Sequence, residues 1–244
     1  MSGKNRTARF AVGLPLVAAL AFSTAGCLGE DTVTRASTSA KPSQATNGID
    51  KLDGSEAFSR ATKATLSADS VRLRGQVQDG KDTITMDFRY AGANRSGGTL
   101  RIGVQQIELI RLGSVVYFKG NKPFLQEIGG KEAVTAMSGK YFKTSSNNDP
   151  DFADIQGFTN LADLMKEATA ESQGWRIDKP GNVGGSPSIA LVSLAGDKIH
   201  IATQGPPYIL QFDDGPQNRI DFLSYNEPVT LKRPPSNLVI DMSG

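Results

Sequence analysis

The sequence predicts an α+β fold dominated by an antiparallel sheet, with about ten short strands and two or three helices. Three observations carry this expectation. Most patterned segments alternate apolar and polar residues with period two. Turns containing glycine separate those segments. Only a few stretches repeat at helical spacing. The chain has 26 Gly and 12 Pro in 244 residues, which suits many turns, and shows no internal repeat or linker within the patterned part. That part, residues 53–244, reads as one domain.

The elements follow in chain order. Lys4, Arg6 and Arg9 form a basic start, and residues 11–22 are mostly apolar. A membrane-crossing helix needs roughly 20 apolar residues, so this run suits the core of an export signal. Ala25, Gly26 and Cys27 follow. Small residues before a cysteine resemble a bacterial lipobox, in which the thiol is acylated and becomes the new N-terminus. The expectation is a lipoprotein signal peptide over 1–26 and a lipid anchor at Cys27, holding the protein to the extracytoplasmic face of the cell membrane. An ordinary secretory signal cut at a nearby small residue is the alternative. Two acyl chains suffice for stable anchoring, at about 0.8 kcal/mol per buried CH₂.

Residues 27–52 are rich in Ser, Thr, Ala and Asp and read as a flexible tether, with a reach of roughly 25–30 Å. Ser55 then caps a short helix in which Phe58, Ala61 and Ala64 share a side. Val71, Leu73, Gly75 and Val77 alternate with Arg72, Arg74 and Gln76. After the turn at Asp79-Gly80, Ile84, Met86, Phe88 and Tyr90 alternate with Thr83, Thr85, Asp87 and Arg89. Two such runs about a short turn make an antiparallel hairpin with one apolar face. Further strands are expected at 99–102, 106–112 and 114–119, a helix at 129–139, and a longer helix at 160–173 capped by Asn160. The last third returns to strands at 175–178, 188–194, 198–203, 208–212 and 219–225.

Composition excludes several function classes. Lys plus Arg is 27 against 25 Asp plus Glu, a net charge of +2. Removing 1–26 takes three of those positive charges and leaves about −1. A nucleic-acid binder built on a global basic field is excluded. One cysteine allows no internal disulfide and no Cys-rich zinc site. His200 is the only histidine, so His-pair metal sites are absent and no cofactor or metal is expected. It lies in a strand between Ile199 and Ile201, where surface or packing duty is the simpler reading. No nucleophile elbow or P-loop occurs. Asp149, Asp151 and Asp154 form a loose acidic group without the EF-hand pattern. The protein is expected not to be an enzyme, although a carboxylate-only hydrolase would leave no linear signature. Arg72, Arg74 and Arg89 share the outer side of the first hairpin, as a solvated sheet face or a patch for anionic head groups.

One positive signal remains. Ile107, Leu109, Ile110, Leu112, Val115, Val116, Tyr117 and Phe118 are apolar on both strand faces, as are Ile189, Ala190, Leu191, Val192 and Leu194. Such strands are covered on both sides or enclose something. A filled core and a cavity for an apolar ligand both fit.

The strings at 113–120 (GSVVYFKG), 202–208 (ATQGPPY) and 225–231 (YNEPVTL), with Pro234-Pro235, resemble actinobacterial cell-envelope lipoproteins of the LppX/LprG group, related in fold to the LolA/LolB carriers. The resemblance spans about 54–240. It implies a curved, half-open antiparallel β-barrel with helices against its inner side and an apolar cavity for a diacylated or triacylated lipid, and it transfers no catalytic residue. From alternation alone, the candidate lining residues are Met86, Phe88, Leu109, Tyr117, Leu191 and Ile201. The expected function is lipid binding or transfer, with the membrane and a diacyl or triacyl lipid as partners, no nucleic acid, and no protein partner assigned. A filled barrel serving as a scaffold for a protein partner is the alternative.

Overall fold

The computed structural model describes residues 45–145, 153–170 and 172–242. The signal segment, Cys27, most of the tether and the side chains of the Asp149, Asp151 and Asp154 group lie outside the described residues.

The described strands form one twelve-stranded sheet. β1 (Ser70–Asp79), β2 (Asp82–Ala91), β3 (Arg95–Ile102), β4 (Gln105–Leu112), β5 (Val115–Gly120) and β6 (Tyr141–Ser145) are successive neighbours. β7 (Arg176–Val183), β8 (Ser186–Val192), β9 (Lys198–Ala202), β10 (Ile209–Asp213) and β11 (Arg219–Leu223) form a second meander, joined to the first where β11 pairs with β1. β12 (Val239–Asp241) adds in parallel to β6, while the other pairings are antiparallel. β12 and β7 are unpaired edges, so the sheet is open. Sequence reading expected about ten strands. The two it lacked are β6 and β12, five and three residues long, too short for alternation to register.

Four helices accompany the sheet: α1 (Gly54–Leu66), α2 (Lys122–Met137), α3 (Ala153–Gly157) and α4 (Leu161–Ala168). Asp53, not Ser55, caps α1, its carboxylate accepting from Glu56 N at 2.8 Å. Ala57 and Ala61 are fully buried and, being small, let α1 lie close against the core. α2 starts seven residues before the expected 129, because Asn121 caps it and Pro123 fits its first turn. Gly129 and Gly130 are a break inside this helix, with Gly130 at φ +65°. Asn160 caps α4 as expected, accepting from Ala162 N and Asp163 N, but the helix stops at Ala168. The packed domain also begins earlier than residue 53. Thr46 bridges to Gln204, Asn47 Nδ2 donates to Ala202 O at 2.9 Å, and Ile49 is fully buried.

Strand register builds the core in rows. One row runs Phe222, Leu73, Phe88, Gly98, Leu109, Phe118, Phe142 across seven strands. Burying each large side chain contributes about 1.5–3 kcal/mol. Gly98 is required here, since a Cβ would stand 2.6 Å from the Phe88 ring and 2.3 Å from Asp87 O. Gly120 likewise receives the Phe124 ring, which a Cβ would meet at 2.1 Å.

The strap of chain between β11 and β12 lies against β1 and then against the outer side of β3. Asn226 N donates to Ser70 O at 2.9 Å, and Ser70 Oγ donates to Glu227 O at 2.5 Å. Farther on, Arg95 donates to Leu231 O at 3.5 Å, and the Leu231 side chain lies over Gly97, where a Cβ would meet it at 2.7 Å. The strand-spanning row at that level holds Gly97, Ile110 and Tyr117.

Candidate ligand cavity

At the end of the sheet near the β1–β2 turn, the inner face stops being filled. A cavity of about 800 Å³ lies there, within the roughly 300–1,000 Å³ of small-molecule sites. Its floor continues the core rows by one step: Val77, Ile84 and Ile102 from β1–β3, then Ile199, Phe212 and Ile220 from β9–β11. Met86 lies at the boundary between the filled rows and the cavity. Its roof is Phe158, Leu164 and Ala168 from the α3–α4 region, with Trp175 closing one side.

The roof is positioned by buried hydroxyls of the inner face. Tyr90 Oη donates to Phe158 O at 2.7 Å, and Ser96 Oγ donates to Thr159 O at 2.7 Å. Both donors are at most 2 % exposed, so these bonds form away from competing water. Burial pushes the Tyr90 phenol well above its ordinary value, keeping it a donor. Past α4, Ser172 Oγ and Ser193 Oγ each donate to Asp197 Oδ2 at 2.7 Å, tying the roof's far end to the β8–β9 turn. Trp175 stacks on Phe58 with ring centroids 4.9 Å apart, which anchors the cavity wall to α1.

The rim is charged. Asp79, Glu167, Asp197, Asp213 and Asp214 stand there with Lys198 and Arg219. An apolar floor under a polar mouth suits a ligand with a long hydrocarbon part and a polar end. At about 30 Å³ for a group the size of a water, the space takes roughly 25 methylenes.

Of the six candidates read from alternation, Met86 lines the cavity. Phe88, Leu109, Leu191 and Ile201 are at most 1 % exposed within the packed core. Tyr117 is also buried, but on the outer side, because its neighbour Phe118 takes the inward position. The lining residues that sequence reading missed fall into two groups. Val77, Ile84, Ile102 and Ile199 show the same alternation as the residues singled out, but alternation carries no information on depth along the strand. Phe158, Leu164 and Trp175 come from segments whose docking leaves no linear signal.

His200 is on the outer side, opposite Ile199 and Ile201, with Nε2 3.8 Å from Asp213 Oδ2. Burial lowers its pKa below the ordinary 6.5, partly opposed by Asp213. Among the described residues, no three His, Cys, Asp or Glu side chains are grouped to hold a metal ion, and no helix is long and apolar enough to cross a membrane.

No family model matches the chain, and no curated protein matches it in sequence. Among solved structures, the crystal structure of LprF from Mycobacterium bovis is similar. The likeness covers 79% of this chain and 99% of that chain, at 12% identity and a TM-score of 0.47.

Proposed function

We propose that this protein is a lipid-anchored, non-enzymatic envelope protein that binds or transfers an acylated lipid, with the acyl part in the cavity beneath α4. The observation that carries the reading is the apolar floor of a space of about 800 Å³ opening through a charged rim. The volume favours one or two acyl chains over three, given roughly 25 methylenes of room. Cys27 is the attachment point in this reading, and residues 28–44 give the domain its reach from the membrane.

Lipid extraction and mass spectrometry of the purified chain test the cavity. Acylated lipid should co-purify at near one per chain. Ile102→Trp, which fills the floor, should cut that amount by about tenfold while the melting temperature stays within a few degrees. An empty wild-type chain, or lipid retained in full by the filled variant, would sink the reading. Cys27→Ser tests the anchor separately, since it should move the protein from the membrane fraction to the soluble one.

The filled rows around Phe118 and Phe142 favour a second reading, a scaffold for a protein partner. Crosslinking on intact cells separates the two, because a scaffold gives a defined protein adduct and a carrier gives lipid adducts.

A further inference from the structure

Register places nine residues of β1, β2 and β3 together on the outer face, in three rows: Arg72, Arg89, Gly97; Arg74, Asp87, Thr99; and Gln76, Thr85, Arg101. Four are arginines and one is a carboxylate. With strands about 4.8 Å apart and same-face residues about 6.8 Å apart along a strand, the nine cover roughly 10 by 14 Å. The lone carboxylate is occupied, since Asp87 accepts from Arg72 Nε at 2.8 Å and Nη2 at 2.5 Å. Arg74, Arg89 and Arg101 are exposed and have no ion pair among the described residues.

The two neighbouring acids each have a partner of their own. Asp221, opposite Arg74, accepts from Arg219 Nε at 3.1 Å and Gln211 Nε2 at 2.6 Å. Glu108, opposite Thr99, accepts from Tyr141 Oη at 2.8 Å. The strap adds more positive charge, for Lys232 and Arg233 directly follow the Leu231 that lies over Gly97, and both are exposed.

We propose that this outer face of β1–β3, with Lys232 and Arg233, docks on an anionic lipid bilayer. A flat array of arginines matches a plane of phosphate groups. None of the nine positions is aromatic, so the face lacks the stacking platform that single-stranded nucleic acid uses. Of the nine residues Gln76 also borders the cavity, whereas the four arginines at Arg72, Arg74, Arg89 and Arg101 do not, so the docking and lipid-cavity readings stand or fall separately.

The test uses the full chain with Cys27→Ser and Thr85→Cys, labelled on the patch with an environment-sensitive dye. A second chain carries the label at Gln126→Cys on α2. Vesicles of phosphatidylcholine are compared with vesicles containing about 30% phosphatidylglycerol. The Thr85 label should respond to the anionic vesicles alone, with binding about tenfold stronger than to neutral ones, and should lose the response in about 0.5 M salt. The Gln126 label should not respond. Arg74→Gln with Arg89→Gln and Arg101→Gln should weaken the response about fivefold or more. Lys232→Gln with Arg233→Gln, on the exposed strap, gives a second reading that does not depend on the strands tolerating substitution. A silent Thr85 label on vesicles that bind the chain, an equal response at both labels, wild-type binding by both sets of variants, or a response to single-stranded DNA but not to vesicles would each overturn the proposal.

Discussion

The inner face of the sheet behaves differently at two levels. In the row of Phe222, Leu73, Phe88, Leu109, Phe118 and Phe142, side chains from six strands meet, and the Phe118 and Phe142 rings are 5.1 Å apart. Four residues farther along the same strands, Val77, Ile84 and Ile102 point the same way but face open space. The residue types are alike at both levels. The difference lies in what sits opposite. α1 and α2 put Ala57, Ala61, Phe124 and Leu125 into the packed core, whereas the turn between α3 and α4 is held by hydrogen bonds that Tyr90 and Ser96 donate to the Phe158 and Thr159 carbonyls, not by apolar contact alone. An apolar strand face supplies a surface, and the covering element decides whether that surface becomes core or cavity.

This contrast is broken most directly by truncating one residue at each level. Phe118→Ala should cost about 3–5 kcal/mol, the range for a large aromatic removed from a packed site, or roughly 10 °C in melting temperature. Ile102→Ala should cost only about 1 kcal/mol, because space already adjoins it. Chemical unfolding of the two variants measures both, and equal costs would mean that the two levels are packed alike.

Tyr90→Phe sharpens the comparison from the roof side. It leaves the Phe158 carbonyl without its donor at a cost of about 1–2 kcal/mol, and bound lipid should fall by a larger factor than stability. Unfolding curves and lipid content measured on the same preparation decide. Lipid retained in full would show that the roof is held by packing.

The smallest effect concerns His200. Its folded-state pKa lies below the ordinary 6.5 because burial disfavours the imidazolium, so the unfolded chain takes up this proton first as pH falls. The contribution is complete above about 6.5 and is lost as pH drops through the folded value. Unfolding at pH 7.5 and 5.5 should show a loss that His200→Gln reduces, and the same pH dependence in both chains would exclude this imidazole as its source.

Much of the sheet was legible in the residues. The period-two runs of β1 and β2 fix which side chains point inward, and Asn160 marks the start of α4 as expected. Tyr117 and Phe118 were not separable, because a strand that is apolar on both sides gives no parity signal. The α2 start was missed for a different reason: Gly129-Gly130 imitates a helix boundary, whereas the Asn121 cap lies eight residues earlier. The tether boundary was misjudged because Ile49 is one apolar residue in a polar stretch, and its burial depends on Asn47 finding the carbonyls of Ala202 and Gly205.

By itself the sequence determined the fold class, the inward parity of the one-sided strands and the basic side of the first hairpin. These are local properties, carried by spacing along the chain. The tertiary structure decided which apolar positions are core and which line the cavity, where the strap from β11 to β12 lies, and which arginines remain unpaired. Each depends on a partner more than a hundred residues away or on a different element, as with Ser70 and Glu227 or Arg95 and Leu231. Such contacts have no period in the sequence, because they are set by where whole elements come to rest.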